Sequence, residues 1–141
     1  MGKSNLPPSG MRDFLPEEKK IRQYVMDVIR NEYSINGFTE IETSEIENLS
    51  NLVNSDGGDN TKMLFKILKR GEKLKLDQVP GSEDALTDLG LRFDLTLPLS
   101  RFYANNRNEL PTVFKAIQMG NVFRAERPQK GRYRSFVQCD V

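Results

Sequence analysis

Apolar and polar positions along this chain follow two different periods, and the changes of period mark its elements. From Pro16 to Asn36 the apolar residues Ile21, Tyr24, Val25, Val28 and Ile29 recur at spacings of three and four, which predicts a helix with one apolar stripe. Pro16, Glu17 and Glu18 suit its first turn and Gly37 its end. Such a stripe calls for something large to pack on. Phe38 to Thr43 then reads as a strand, although Phe38 and Ile41 do not fit a strict two-residue repeat. Leu49 to Asn60 and Gln78 to Gly90 read as polar loops, with Ser55 to Asn60 the most flexible. Between them, Met63 to Leu68 and Leu74 to Leu76 predict two strands around a turn at Arg70-Gly71-Glu72. A short strand ending at Asp94 precedes a helix over Thr96–Asn106, with Thr96 as N-cap and Pro98 in the first turn.

The last third carries the clearest pattern. Val122 to Cys139 alternates through Phe123 and Ala125, breaks at Pro128-Gln129-Lys130-Gly131, and alternates again from Tyr133 to Val141. We read two antiparallel strands joined by a basic loop. A two-residue repeat sets Arg124 and Glu126 on one face of the first strand, and Arg134, Phe136 and Gln138 on one face of the second. The expected fold class is α/β in the α+β sense: an antiparallel sheet holding this hairpin, flanked by the two helices. Phe136 to Val141 reads as a strand still in progress, so residues 1–141 are expected to be the N-terminal part of a longer protein, with an open sheet edge.

Charge sharpens this picture only locally. The chain has 141 residues, 21 Lys+Arg against 20 Asp+Glu, one cysteine and no histidine. That excludes an intramolecular disulfide, a Cys/His zinc site and a histidine general base within the chain. Cys139 reads as a small strand-core residue. With neither an apolar leader nor a membrane-length run, a cytoplasmic location is expected and no membrane partner. The basic residues gather in Lys62 to Lys75 and in Arg124 to Arg134, where Arg124, Arg127, Lys130, Arg132 and Arg134 face the single acid Glu126. An arginine fork suits a phosphate and Phe136 offers a flat face to a base. A hairpin with solvated charges and one core phenylalanine is the other reading of the same residues. In Leu91 to Pro98, Asp94 and Thr96 read locally as helix-capping residues.

The run FRAERPQKGRYRSFVQCD, Phe123 to Asp140, resembles motif 2 of the class II aminoacyl-tRNA synthetases, and in its loop that of the histidyl-tRNA synthetases. LRFDLTLP, Leu91 to Pro98, is similar to the segment by which those enzymes hold the α-ammonium of histidine. The lead-in GMRDFLPEE and the helix–glycine–strand order resemble their N-terminus and motif 1, the dimer-forming element. Two departures are Ser44, where motif 1 carries proline, and Ser135, where the family commonly has an acid or amide.

The resemblance implies a class II synthetase catalytic domain, present here as motifs 1 and 2 without motif 3 or an anticodon-binding domain. It implies ATP and Mg²⁺, histidine and tRNA(His) as cofactors and partners, and a homodimer. Carried over by position, Arg124 grips the ATP α-phosphate, Glu126 lies on the adenine side, Arg132 meets the terminal phosphates and Phe136 is the adenine platform. Asp94, Thr96 and Gln138 would bind the amino acid. The reaction implied is adenylate formation and acyl transfer to tRNA, with the chain inactive alone. Two alternatives remain open: the regulatory subunit of ATP phosphoribosyltransferase, a non-catalytic paralogue, and a bare nucleic-acid-binding module, against which the near-neutral charge weighs.

Overall fold

The computed structural model describes residues 5–54, 59–75 and 85–141. Helix α1 spans Pro16–Ile35 and strand β1 Thr39–Glu40. At its start the Glu18 carboxylate accepts the backbone N–H of Leu15 at 3.2 Å, satisfying one of the donors a helix leaves open. At its end Tyr33 meets Phe38 edge to face, with centroids 5.1 Å apart, and Arg30 reaches Glu40 at 2.7 Å. The helix is thereby fastened back onto β1. Most of its apolar stripe, however, stays uncovered by the described chain: Ile21 is 66% and Tyr24 70% exposed, Val25 and Val28 are exposed as well, and Ile29 alone of the five is half-buried.

Strands β5 (Ala116–Phe123) and β6 (Ser135–Asp140) form the predicted antiparallel pair, with Val122 opposite Phe136 and Gly120 opposite Gln138. β1 adds to β5 in parallel, giving the order β1-β5-β6. The first strand of the hairpin starts earlier than the alternation indicated and stops at Phe123. Beyond it the Ala125 N–H donates to Met63 O at 2.8 Å, which takes the backbone out of the ladder and toward the other sheet.

That second sheet replaces the expected 63–76 hairpin. Its order is β2 (Ile46–Asn48), β4 (Thr87–Leu91), β3 (Lys66–Leu68), all antiparallel. Leu74 and Lys75 form no strand, Asp59–Met63 and Gly71–Lys73 are single 3₁₀ turns, and Leu76 lies outside the described residues. The two polar loops also need correction. Leu49–Asn54 is a helix, α2, and Thr87 to Gly90 belong to β4; residues 55–58 and 78–84 lie outside the described residues. Leu49 and Leu52 of α2 join Leu64 and Phe93 in a buried cluster, each such side chain contributing about 1.5–3 kcal/mol on burial.

The two sheets are tied by Arg92, a residue only 3% exposed. Its Nε donates to Asn121 O at 2.7 Å and its Nη1 to Thr43 O at 2.7 Å. A buried cation is tolerable only when its donors are met in this way. A different clamp holds the lead-in. Arg134 N–H donates to Gly10 O at 2.7 Å and its side chain to Ser9 O and Glu126 O. Gly10 has φ +81°, and a Cβ there would press on the Arg134 side chain, so this turn is built for glycine.

Candidate functional site

Helix α3 spans Thr96–Asn106, as expected. Its N-cap is Leu95 rather than Thr96, and the capping bond comes from one residue earlier: Asp94 Oδ1 accepts the Thr96 N–H at 2.6 Å. Phe93 and Leu95 are buried on either side, which fixes the loop and leaves Asp94 half-buried between them. Its second oxygen, Oδ2, accepts from Gln138 Nε2 at 2.9 Å. Asp94, Thr96 and Gln138 are therefore brought together from elements more than 40 residues apart.

Burial by itself would push the Asp94 carboxyl up. The hydrogen bonds from Gln138 and Thr96, with the charge of Arg124, outweigh it and hold the group below the usual carboxylate range. A carboxylate kept ionised is what an ammonium ligand needs. The sign for stability follows: the folded state favours ionised Asp94, so its contribution is present above the ordinary carboxylate range and is lost as pH falls through the lowered folded value. The stabilising contribution of Asp94 is accordingly expected to persist on acidification to about pH 5. A urea midpoint that falls steeply between about pH 7 and pH 5, and does so no less in Asp94→Asn, would assign the titration to another group.

The basic end lies beside this cluster. Arg124 Nε donates to Phe93 O at 3.1 Å, and the guanidinium carbon sits 5.1 Å from the centroid of the Phe136 ring. The carbonyl and the ring hold the fork in place. Arg124, Glu126, Arg127, Arg132 and Phe136 are among the residues lining a cleft of about 250 Å³. Glu126 and Arg132 form an exposed pair at 3.7 Å, of little energetic weight. A larger groove, about 690 Å³, is lined by Ser135 and Val137, the alternate positions of β6, and so opens on the other face of the sheet.

Most expected site residues thus fall on one surface, with corrections. Arg134 does not share a surface with Phe136 and Gln138; it precedes β6 and is spent on Ser9, Gly10 and Glu126. Cys139 is in β6 but exposed rather than in the core; burial first and the neighbouring Asp140 second push its thiol up, the opposite of nucleophilic activation. Two residues were missed. Arg92 lies two places before Asp94. Asp140 accepts from Gln138 Nε2 at 2.9 Å, and the two-residue repeat that carried Phe136 and Gln138 would have reached it.

Among the described residues no group of three or more His, Cys, Asp or Glu is placed to hold a metal ion. The cleft lining offers one carboxylate, Glu126, already facing Arg132. These side chains do not fit a protein-held Mg²⁺, which favours oxygen ligands from carboxylates or substrate phosphates, and no step of the chemistry proposed for this chain runs through one. Among the described residues no helix is long and apolar enough to cross a membrane.

A family model described as histidyl-tRNA synthetase matches residues 10–141. Histidine–tRNA ligase of Leifsonia xyli is 54% identical over 138 residues, and the probable histidine–tRNA ligase of Tropheryma whipplei 49% over 136. Each alignment covers 96% of this chain but 32% of the relative. Among solved structures, histidyl-tRNA synthetase from Nostoc superposes with a TM-score of 0.74 at 33% identity, over 96% of this chain and 28% of that one. A Bacillus halodurans protein described as an ATP phosphoribosyltransferase regulatory subunit/histidyl-tRNA synthetase also gives 0.74, at 26% identity, over 99% of this chain and 32% of that one. The mixed α/β architecture, with its small antiparallel sheets, is that of these structures, and the chain spans about 32% of the length of the curated relatives it matches. This chain belongs to the histidyl-tRNA synthetase family.

Proposed function

We propose that residues 1–141 are the N-terminal part of the catalytic domain of a histidine–tRNA ligase, carrying its motifs 1 and 2. Motif 3 and the anticodon-binding domain would then lie in the length that the relatives have and this chain lacks. The full-length protein activates histidine with ATP to histidyl-adenylate and transfers the acyl group to tRNA(His). One observation carries this reading: the Asp94–Gln138 cluster and the Arg124–Phe136 pair stand side by side, with Phe136 and Gln138 two residues apart on β6.

Asp94, Thr96 and Gln138 hold the ammonium of histidine. Its carboxylate is directed to Arg124, where the α-phosphate of ATP lies against the guanidinium and adenine against Phe136. Glu126 lies toward the adenine side and Arg132 toward the β- and γ-phosphates. The substrate carboxylate attacks the α-phosphorus in line and pyrophosphate leaves. The nucleophile comes with the substrate, so no protein base is required. The chain's contribution is alignment and neutralisation of developing charge.

The exposed stripe of α1 supports a homodimer formed through that helix, since an apolar face this continuous calls for cover. The reaction is placed in the cytoplasm, where tRNA is charged. Attachment of labelled histidine to a tRNA(His) transcript tests the proposal: the full-length protein is expected to charge it and residues 1–141 alone are not. A second reading, the regulatory subunit of ATP phosphoribosyltransferase, rests on the Bacillus halodurans neighbour whose description includes that role. Histidine binding by the full-length protein with no charging of any tRNA favours that second reading.

A further inference from the structure

The Gln138 side chain is held in a way that the proposed ammonium site alone does not explain. Its Nε2 has two hydrogens and both are used: Asp94 Oδ2 accepts one and Asp140 Oδ1 the other, each at 2.9 Å. The reverse orientation would set the amide oxygen against two carboxylates, so electrostatics permits one orientation only. The oxygen, Oε1, is buried and has no hydrogen-bond partner among the described residues. An unpaired buried carbonyl is costly and asks for an explanation; a donor brought by a ligand supplies one.

We propose that Asp140 is a positioning residue of the amino-acid site: with Asp94 it fixes the Gln138 amide so that Oε1 is the acceptor for the substrate ammonium. The proposal rests on the histidine-activating reading given above. Asp140 lies on the same face of β6 as Phe136 and Gln138, by the two-residue repeat of a strand. It also stands 3.4 Å from the Thr96 hydroxyl, which links all three ammonium partners into one network. Two carboxylates at this end, against the Arg124 guanidinium at the other, give the site a polarity. An α-amino acid is accepted ammonium first, with its carboxylate toward the phosphate.

Removing the Asp140 charge while keeping its shape changes this network in a defined way. In Asp140→Asn the new side chain can turn its own amide N–H to Gln138 Oε1, competing with the ligand and releasing the orientation. The role predicts a loss confined to ligands that carry the ammonium group.

The test uses the full-length protein and compares wild type, Asp140→Asn and Asp140→Glu in histidine-dependent pyrophosphate exchange. Two inhibitors accompany it: histidinol, which keeps the ammonium, and imidazolepropionate, which lacks it. Asp140→Asn is expected to raise the KM for histidine and the Ki of histidinol about tenfold, the value of about one charge-assisted hydrogen bond. The KM for ATP and the Ki of imidazolepropionate should stay within about twofold of wild type, and Asp140→Glu should recover part of the loss. Equal weakening of both inhibitors would overturn the proposal in favour of a purely structural role, as would an Asp140→Asn enzyme indistinguishable from wild type. A wild-type protein without histidine-dependent exchange would instead overturn the underlying reading and the role of Asp140 with it.

Discussion

Replacing Arg124 by alanine is expected to lower kcat/KM for histidine-dependent pyrophosphate exchange by about 10²–10³-fold, or roughly 3–4 kcal/mol of transition-state stabilisation. The geometry says why the effect should be large. Nε is committed to Phe93 O and the guanidinium carbon lies over the Phe136 ring, 5.1 Å from its centroid, which leaves Nη1 and Nη2 to meet a phosphate from a fixed position. Preorganised donors of this kind act most where charge develops, so the loss should fall mainly on kcat. Arg124→Lys is expected to recover little, because an ammonium on a flexible stem can neither donate to Phe93 O in the same geometry nor present a fork. Single-turnover and steady-state exchange rates on the full-length protein check both variants. A loss under about threefold in Arg124→Ala would remove Arg124 from the reaction.

The second large effect is on stability, at Arg92. Arg92→Met keeps the length of the buried side chain but withdraws the donors of Thr43 O and Asn121 O. The buried Thr43 O left unpaired costs about 1–3 kcal/mol and the part-buried Asn121 O less, so the expected loss is about 2–4 kcal/mol. Gly120→Ala attacks the same knot from the other side, since a Cβ at Gly120 would press on Arg92 Nη2. If that contact is the reason glycine stands there, the two losses will not add in the double variant. Urea midpoints of the full-length protein and its three variants measure this. Full additivity would mean that Gly120 serves something other than the guanidinium.

Much of this molecule can be read from its residues, and the failures have physical causes. Helix α1 was legible because proline, acids and glycine mark its ends and apolar residues hold a single period, and α3 because Thr96 and Pro98 mark its start. The β5–β6 hairpin was legible for the same reason, through alternation and a breaker loop. The second sheet was not. β3 has three residues, and β4 reads Thr-Asp-Leu-Gly-Leu, whose two-sided polarity resembles a loop until its partners are known. Leu49 and Leu52 look isolated in a polar segment, yet they cover β4; long-range packing decided their fate, not local propensity.

The site divides in the same way. Asp94, Thr96, Arg124, Phe136 and Gln138 were chosen from residue type and resemblance, and the fold gathers them. Arg134 has the same chemistry as Arg124 and the right parity, but its neighbour in space is the lead-in at Ser9 and Gly10. No periodicity in the hairpin could reveal that contact, 125 residues away. Arg92 was hidden for a like reason, since its acceptors come from Thr43 and Asn121. Asp140 differs from these two, because the alternation that selected Gln138 points to it as well.

Whether these residues activate histidine is read from pyrophosphate exchange into ATP by the full-length protein. Exchange is expected to depend on histidine, to find no support in other amino acids, and to collapse in Arg124→Ala. A folded full-length protein that binds histidine but exchanges no pyrophosphate would rule out histidine activation at this site.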